Sequence, residues 1–488
     1  MWPESLPSAT DYVVGPADLE PPLPGQLTAL NFILAGNPMF LTGDAGTGKS
    51  WIIQKAIEIS RQRSNGDPFA IGVTASTGTG AQQLDPLAST VHAWGGLGFA
   101  DTGKSEILRR ILGTPALVLR WQRVKILFID EVSMLPAAVL DLVDFLARKV
   151  RNNNSPFGGV QVIAVGDFLQ LPPANGGFAF TSTSWREAGM RTFELTDIVR
   201  QCGDPAFAAM LRVARRGACP EELSEALMFC ARRPLPREDI VDPVTGLRQV
   251  VPTRLYCVNA DVDGENARRL DALPGLAIKF FARDVEHNCM LNTYEHDAAL
   301  KTVDRLAPWC LILKVGGQVM CTKNLKEAGL VNGSRGVVLS FELNNAEDPD
   351  GGVHPVVLYD NGVTHAHVLY DFCAFSSPTD VPFVRRTQLP LKLAWAMTIH
   401  KSQGQTISRV LIDISKTFAD GQAYTALSRV PSLSGLWLQG GFSKKNFKAN
   451  DSVLIFYGHR ICQCGCNRPS VRESLEDGAG AYYATDRA

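Results

Sequence analysis

The 488-residue sequence lacks the features that mark secretion, import or membrane insertion. No apolar run approaches the roughly 20 residues that span a bilayer. Residues 1–25 are acidic and rich in proline, without the basic start of a signal peptide or the arginine bias of a transit peptide. We therefore expect a poorly ordered leader and an intracellular protein. The compartment would be the nucleus or mitochondrion in a eukaryote and the cytoplasm in a bacterial or viral setting.

Paired cysteines and an excess of one charge are also missing. The 11 cysteines are scattered from Cys202 onward, which is typical of reduced thiols rather than of a disulfide framework. The formal net charge of −1 gives no global electrostatic argument for nucleic-acid binding. One alternative is that the protein binds no nucleic acid. If it does bind nucleic acid, its basic residues must line a groove.

One cysteine cluster stands near the C-terminus, and it consists of His459, Cys462, Cys464 and Cys466. Four such side chains could hold Zn²⁺, but C-x-C-x-C is not a usual zinc-finger spacing. The alternative, which we favour, is a flexible cysteine-containing tail over residues 461–488.

The clearest motif is a phosphate-binding loop in the run MFLTGDAGTGKSW, residues 39–51. It follows the G-x-x-x-x-G-K-[ST] pattern, between an apolar strand and a helix. Glycines let backbone N–H groups curl around an oxyanion, Lys49 supplies charge to the β- and γ-phosphates, and the Ser50 hydroxyl can ligate Mg²⁺. A chance glycine turn is the alternative. The expected ATP contacts in this loop are Gly43, Ala45, Gly46, Thr47, Gly48, Lys49 and Ser50.

Acidic and amide side chains follow two further apolar strands. Asp130 and Glu131 come directly after Ile126–Ile129, and in P-loop NTPases an acid at this point holds Mg²⁺ while a neighbouring acid can polarise the attacking water. Gln170 follows a strand and a Gly-Asp turn, where it could sense the γ-phosphate, although an ordinary turn would look the same. We assign Mg²⁺ to Ser50 and Asp130, and the base to Glu131.

Alternating strands and helices over the first ~200 residues predict a parallel α/β sheet. The predicted strands are Met39–Thr42, Ala70–Thr74, Lys125–Ile129, Val160–Val165 and Thr192–Leu195. The spacing of apolar residues predicts a helix over Pro136–Val150, and a glycine-rich turn with a helical piece between His92 and Arg123 predicts a small insert. A second α/β region begins near Gly203, with a strand at Arg254–Val258.

The pattern changes between Cys310 and Thr387. Short strand-like runs alternate with turn signals such as Asn332-Gly333, which predicts a small antiparallel barrel inserted in the second α/β region. The predicted strands are Leu311–Leu313, Gln318–Thr322, Gly336–Phe341, Val356–Tyr359 and Ala366–Tyr370. The α/β pattern returns at Leu393–Ile399 and Val410–Ile414.

The segment Leu140–Pro173 closely resembles the signature region of the petite-integration-frequency (PIF) DNA helicases, superfamily-one enzymes related to RecD. Further motifs resemble those of the family in the same order, from Gln26 to Tyr457. They are the glutamine motif at Gln26 and the segments Thr74–Gly98, Phe193–Gln201, Leu313–Val338, Leu393–Thr406 and Phe418–Leu438. The chain departs from the family at both ends, and GTGA after Ser76 is looser than the usual pattern.

The resemblance implies an α/β fold with two RecA-like P-loop NTPase domains, a small insert in the first and an SH3-like β-barrel in the second. The implied ranges are 26–202 for the first domain, with its insert at about 92–123, 203–309 and 388–460 for the second, and 310–387 for the barrel.

Several residue roles follow from the resemblance alone. Gln26 would read adenine, Gly404 would complete the ATP site, and Arg200 and Arg429 would reach the γ-phosphate from the second domain's side of a cleft. Without the resemblance, a surface salt bridge would be the favoured role of either arginine. The implied single-strand contacts are Thr77, His92, Trp94, Asn259, His400 and Lys401. A lone histidine or tryptophan is more often part of a core.

The implied function is that of an ATP- and Mg²⁺-dependent helicase that translocates 5′ to 3′ on single-stranded DNA. Tailed or forked duplex, G-quadruplexes and RNA–DNA hybrids are the implied substrates, in replication, repair, recombination or telomere maintenance. The implied protein is a monomer that could dimerise on DNA, with no membrane partner. A DNA-stimulated ATPase with little unwinding activity is one alternative. A binding module with a degenerate ATP site is the other, and the intact Lys49, Glu131 and Arg429 argue against it.

The cysteine-containing tail gives a first prediction. We expect purified protein to carry no stoichiometric zinc, because the spacing of the three cysteines does not suit a tetrahedral site. Elemental analysis of the full chain measures this directly, and about one zinc per chain would contradict the prediction.

Overall fold

The structure is a computed structural model that describes residues 22–85, 88–98, 103–236, 250–286, 299–301, 303–304, 306–323, 325–330, 332–343, 352–374 and 384–458. Two compact units make up the chain: the residues up to Arg200 together with those from Ala449 onward, and Gln201–Lys448. The cluster of His459, Cys462, Cys464 and Cys466 and most of the predicted leader lie outside the described residues. Among the helices that are described, none has the length and apolar character needed to cross a bilayer.

A parallel sheet forms the centre of the first unit, with the strand order β3-β2-β4-β5-β1-β6. Its strands are β1 Met39–Gly43, β2 Ile71–Ala75, β3 Ser89–Thr90, β4 Ile126–Asp130, β5 Gln161–Val165 and β6 Arg191–Leu195. β1, β2 and β4 are buried along their whole length, which explains why they read as continuous apolar runs. All five strands predicted for this region are confirmed to within one residue. β3 has two residues, too few for a sequence pattern.

Helices flank this sheet. They are α1 Pro24–Leu34, α2 Lys49–Arg63, α3 Gly78–Leu84, α4 Val91–Gly95, α5 Lys104–Leu112, α6 Pro115–Arg123, α7 Ala137–Arg151 and α8 Thr183–Glu187. α7 confirms the predicted helix with a shift of one residue. It begins after Pro136 and ends at Asn152, whose left-handed conformation (φ 49°) caps it.

The predicted insert is helical in its described residues, and its apolar side chains share the core of the first unit. Ile107, Ile111 and Trp121 belong to the same buried cluster as the apolar face of α7. Trp94 is 6% exposed and packs edge to face on Trp121, with ring centroids 4.8 Å apart. Burial and packing therefore assign the Trp94 ring to the core, the alternative role of a lone tryptophan, and its DNA contact stays a prediction.

The second unit contains a parallel sheet, β18-β7-β19-β20, and a five-stranded antiparallel sheet, β14-β13-β12-β11-β17. Its strands are β7 Thr253–Tyr256, β8 Ile278–Phe281, β9 Arg283–Glu286, β10 Cys310–Leu313, β11 Gln318–Cys321, β12 Arg335–Leu343, β13 Val353–Tyr359, β14 Thr364–Ala366, β15 Tyr370–Ala374, β16 Val384–Gln388, β17 Leu391–Leu393, β18 Ala396–Thr398, β19 Val410–Ile412 and β20 Leu436–Leu438. Its helices include α9 Pro205–Arg215, α10 Glu221–Arg232, α11 Asn259–Ala272, α12 Ile399–Ser402 and α13 Gln422–Leu427.

One predicted strand of the antiparallel region is wrong: Ala366–Tyr370 spans the last residue of β14, a connection and the first residue of β15. The strand predicted at Leu311–Leu313 is confirmed as β10, and it pairs with β8. A short apolar run does not distinguish a strand from a buried connection, and nothing local specifies a strand's partner. The SH3-like character of this region stays a prediction.

The chain returns to the first unit at its described end, through α14, Asp451–Phe456. Val453, Leu454 and Tyr457 are buried in the same core cluster as α7. The predicted extension of the second domain to residue 460 is therefore wrong at its end. A helix of six residues carries too little pattern to show which unit it packs against.

The packing of Trp94 gives a second prediction. Trp94→Ala should lower the free energy of unfolding by about 3–5 kcal/mol, because it leaves a cavity beside Trp121. Denaturant unfolding measures the change, and Trp309→Ala, at a side chain that is 53% exposed, is the control with an expected cost below about 1 kcal/mol. Equal stability of the two variants would contradict the assignment of Trp94 to the core.

Candidate active site

The phosphate loop connects β1 to α2 at the carboxyl edge of the first sheet. Gly46 and Gly48 adopt left-handed conformations (φ 87° and 85°), and a Cβ on Gly43 would lie 2.4 Å from the carbonyl oxygen of Leu195. These positions need glycine for steric reasons. Gly48 is the N-cap of α2 and supplies no side-chain cap, so the amides of the first turn face outward from the helix end. An oxyanion at this point would also meet the positive end of the helix dipole.

Lys49 is positioned by the loop itself. Its Nζ donates hydrogen bonds to the carbonyl oxygens of Gly43 (2.8 Å) and Asp44 (2.9 Å), and the hydroxyl of Thr47 donates to Asp44 as well (3.0 Å). The loop is therefore preformed, with its cation already folded back over the place that a phosphate would take.

Gln26 packs against the same loop from α1. Its Nε2 donates to the carbonyl oxygen of Thr47 (3.3 Å), and its Oε1 accepts from the N–H of Leu23 (3.1 Å). A Cβ on Gly48 would lie 2.4 Å from this Nε2. Gln26 is thus in contact with the loop, while its adenine contact stays a prediction.

Asp130 and Glu131 end β4 at the same edge of the sheet. Burial raises the pKa of Asp130 to about 8, with the charge of Glu131 acting in the same direction and Lys49 opposing it. The Oδ1 of Asp130 also accepts the N–H of Glu131 (2.8 Å), which favours the carboxylate. A divalent cation would oppose the effects of burial and of Glu131 and hold Asp130 ionised. This buried carboxylate and the hydroxyl of Ser50 are hard oxygen donors, so the residues fit Mg²⁺.

Glu131 has a strained backbone. Its φ of 51° and ψ of 41° are left-handed, a conformation that costs a non-glycine residue about 1–3 kcal/mol. Its Cγ lies 3.6 Å from the position of a Cβ on Gly80, in the first turn of α3. Thr77 caps that turn by accepting the N–H of Gly80 at 3.0 Å. The predicted base is therefore next to the segment of a predicted DNA contact.

Gln170 sits in the turn that follows β5, and Asp167 shapes that turn. The N–H of Gln170 donates to the carbonyl oxygen of Asp167 (2.9 Å), and its Nε2 donates to Asp167 Oδ2 (3.4 Å). Asp167 Oδ1 accepts the N–H of Leu169 (3.1 Å), and Asp167 is fully buried. The sequence analysis missed Asp167, although a Gly-Asp pair at a strand end is typical of an aspartate that hydrogen-bonds its own turn.

Arg200 belongs to the first unit, together with the phosphate loop. Its backbone N–H donates to the carbonyl oxygen of Gly46 (3.0 Å), as does that of Val199 (2.8 Å). The prediction that Arg200 comes from the second domain's side is therefore wrong. Arg200 is the last residue of the first unit before the chain passes into the second at Gln201.

Arg429 belongs to the second unit and is 1% exposed, which excludes a surface salt bridge. Its Nε donates to the carbonyl oxygen of Thr425 (2.7 Å), and its Nη2 donates to the hydroxyl of Ser428 (2.7 Å). Its Nη1 donates to the carbonyl oxygen of Ser402 (3.3 Å), just before Gly404, which has a left-handed conformation (φ 79°).

The remaining predicted DNA contacts differ in exposure. Lys401 is exposed, whereas His92 and His400 are half-buried, and burial lowers the pKa of both histidines. Both imidazoles are therefore neutral near pH 7 and offer hydrogen bonds rather than charge to a phosphate. Asn259 begins α11, and its side chain lies outside the described part of the chain.

Family models match two stretches of the chain. The PIF1-like helicase model matches residues 27–223, and the model of the DNA helicase Pif1 2B domain matches residues 300–341. A curated relative is the ATP-dependent DNA helicase PIF1 of Danio rerio, which is 37% identical over 440 residues. That match covers 88% of this chain and 63% of the relative, so the chain spans less than two thirds of the relative's length.

Solved structures match nearly the whole chain. The crystal structure of Pif1 helicase from Candida albicans is 33% identical, with a TM-score of 0.74, over 90% of this chain and 99% of that one. Pif1 helicase from Bacteroides in complex with ADP-AlF3 and ssDNA is 27% identical, with a TM-score of 0.58, over 89% of this chain and 96% of that one. The motif order, the sheet and these matches agree, and the chain belongs to the PIF1-like helicase family.

Proposed function

We propose that this protein is an ATP- and Mg²⁺-dependent DNA helicase that moves 5′ to 3′ on single-stranded DNA and unwinds tailed or forked duplex. The observation that carries the proposal is the preformed nucleotide site: the carbonyl groups of Gly43 and Asp44 hold Lys49 Nζ in place at the edge where β4 ends in a buried Asp130 and a strained Glu131. The family to which the chain belongs supports the identity of the substrate.

The chemistry follows from these positions. Lys49 neutralises charge on the β- and γ-phosphates, and Glu131 accepts a proton from the water that attacks the γ-phosphorus. Mg²⁺, held through Ser50 and Asp130, would neutralise charge on the phosphate oxygens. Gln170 contacts the γ-phosphate and the attacking water, while Arg200 and Arg429 stabilise the charge of the transition state.

The position of Glu131 near the α3 turn supports a dependence of hydrolysis on DNA. A strand bound at Thr77 would contact the turn that neighbours Glu131 Cγ and would bias the conformation of the base. The Bacteroides relative was solved with both a nucleotide analogue and ssDNA, which agrees with simultaneous binding. Backbone phosphates would supply most of the affinity, with little preference for sequence.

G-quadruplexes and RNA–DNA hybrids are the further substrates that we propose, in replication, repair, recombination or telomere maintenance. The protein would act inside the cell, in whichever compartment holds the DNA. It would work as a monomer that can dimerise on DNA.

Two variants separate nucleotide binding from chemistry. Lys49→Ala should abolish ATP hydrolysis and weaken ATP binding, because it removes a charge that contacts ligand rather than core. Glu131→Gln should leave ATP binding near the wild-type level and lower kcat by about 10²–10⁴-fold, because it removes the base and keeps the shape. Fluorescent-nucleotide titration and phosphate release measure the two effects. Loss of binding in Glu131→Gln as severe as in Lys49→Ala would make Glu131 a ligand or structural residue.

A test of the direction of movement along DNA requires two duplex substrates that differ only in the polarity of their single-stranded tail. A duplex with a 5′ single-stranded tail should unwind with ATP and Mg²⁺, the same duplex with a 3′ tail should not, and Glu131→Gln is the inactive control. Binding should weaken as salt rises. Unwinding from the 3′ tail alone would contradict the polarity, and DNA-stimulated hydrolysis without unwinding of either duplex would favour the translocase alternative.

A further inference from the structure

The C-terminal segment of the described chain reaches the edge of the sheet that carries the phosphate loop. Tyr457, directly after α14, is 6% exposed. Its hydroxyl lies 2.8 Å from Thr42 Oγ1 and accepts the backbone N–H of Phe168 at 3.2 Å. One tyrosine hydroxyl thus bonds to two segments that are far apart in sequence.

Both of these segments lead to groups of the ATP site. Thr42 is the second-to-last residue of β1, immediately before Gly43 and the phosphate loop. Phe168 lies in the turn after β5, between Asp167, which shapes the turn, and Gln170. A displacement of either backbone would therefore change the distance between the phosphate loop and the Gln170 amide.

The backbone pairing of β1 with β5 ends just before the residues to which the Tyr457 hydroxyl is hydrogen-bonded. Strand partners run from Met39↔Ile163 to Leu41↔Val165, and the N–H of Gly166 then donates to the carbonyl oxygen of Leu41. Thr42 and Phe168 lie one and two residues beyond this last bond. The Tyr457 hydroxyl therefore extends the connection between the two chains past the end of their backbone pairing.

The neighbouring Phe456 fixes the same turn by packing. Its ring stacks on Phe180 at a centroid distance of 4.4 Å and meets Phe168 edge to face at 5.6 Å. The Phe168 ring also contacts Phe40 of β1, at 5.0 Å. Close-packed aromatic rings restrict the movement of the neighbouring backbone. The hydroxyl of Tyr457 is therefore held at a fixed position beside Thr42 and Phe168.

We propose that Tyr457 is a positioning residue for ATP hydrolysis, a role that rests on the proposed function. Its hydroxyl holds the phosphate loop and the Gln170 turn at a fixed separation, so that Gln170 meets the γ-phosphate bound by the loop. Tyr457 itself touches no reacting atom in this arrangement. Its effect should therefore appear in the rate of the chemical step rather than in the affinity for ATP.

The test begins with Tyr457→Phe in the full chain, which keeps the ring and removes the hydroxyl. We expect kcat for DNA-stimulated ATP hydrolysis to fall about tenfold while the dissociation constant for ATP stays within about twofold. Tyr359→Phe is the matched control, because it removes another buried tyrosine hydroxyl, bonded to His367 Nε2 at 2.6 Å in the second unit. The control should keep kcat within about twofold of the wild type.

A second variant tests the same contact from its other side. Thr42→Val keeps the shape of the side chain and removes Oγ1, and we expect the same loss of kcat, whereas Thr42→Ser should retain activity. The double variant Tyr457→Phe/Thr42→Val should lose no more than either single variant, because both remove one connection. Thermal unfolding of each variant checks that the folded fraction is unchanged.

The outcomes separate the two proposals. A wild-type protein that hydrolyses no ATP would contradict the proposed function, whereas an active wild type with a folded, fully active Tyr457→Phe would overturn the role of Tyr457. Additive losses in the double variant would also overturn it, because they indicate independent packing effects. If Tyr457→Phe does not fold, Thr42→Val decides by itself: a normal kcat contradicts the proposal and a tenfold loss supports it.

Discussion

The proposed ATP site depends on one constraint, the parallel pairing of β4, β5 and β1 as neighbours in the first sheet. Parallel strands bring their carboxyl ends to the same edge, where an open α/β sheet binds its ligands. The phosphate loop, Asp130 with Glu131, and the Asp167 turn each follow one of these strands. A slip of one residue in any pairing would turn every side chain of that strand to the opposite face and separate groups that must meet one phosphate. The continuous burial of β1 and β4 keeps the register fixed, because both faces are packed.

The chemistry at this edge requires groups that would be unfavourable elsewhere. Burial raises the pKa of Asp130, and Glu131 has a left-handed backbone next to it. Both features destabilise the protein by itself, and a bound cation would relieve the first by stabilising the charged form of Asp130. A hydrogen bond from the N–H of Glu131 to Oδ1 of Asp130 links the two residues and favours the charged form of the carboxylate.

Local sequence predicted three features correctly, and the structure confirms each of them. The glycine spacing predicted the phosphate loop, the continuous apolar runs predicted the parallel strands, and the apolar stripe predicted α7. Pattern failed where tertiary packing decides. Trp94 lies in a motif that resembles a DNA-contacting one but packs on Trp121, and α14 has too few residues to show its partner. Asp167 was missed because its importance lies in the hydrogen bonds that it makes within its own turn.

The proposed dependence of hydrolysis on DNA does not require a movement of whole domains. Glu131 Cγ lies 3.6 Å from the place that a Cβ on Gly80 would take in the α3 turn, and Thr77 holds that turn by accepting the N–H of Gly80. Only a few atoms of the first unit therefore separate a predicted DNA contact from the predicted base. Because the backbone of Glu131 is already strained, a small displacement of this turn can change the balance between conformations of the base. A turn that responds to DNA would supply a contribution to stimulation from within the first unit.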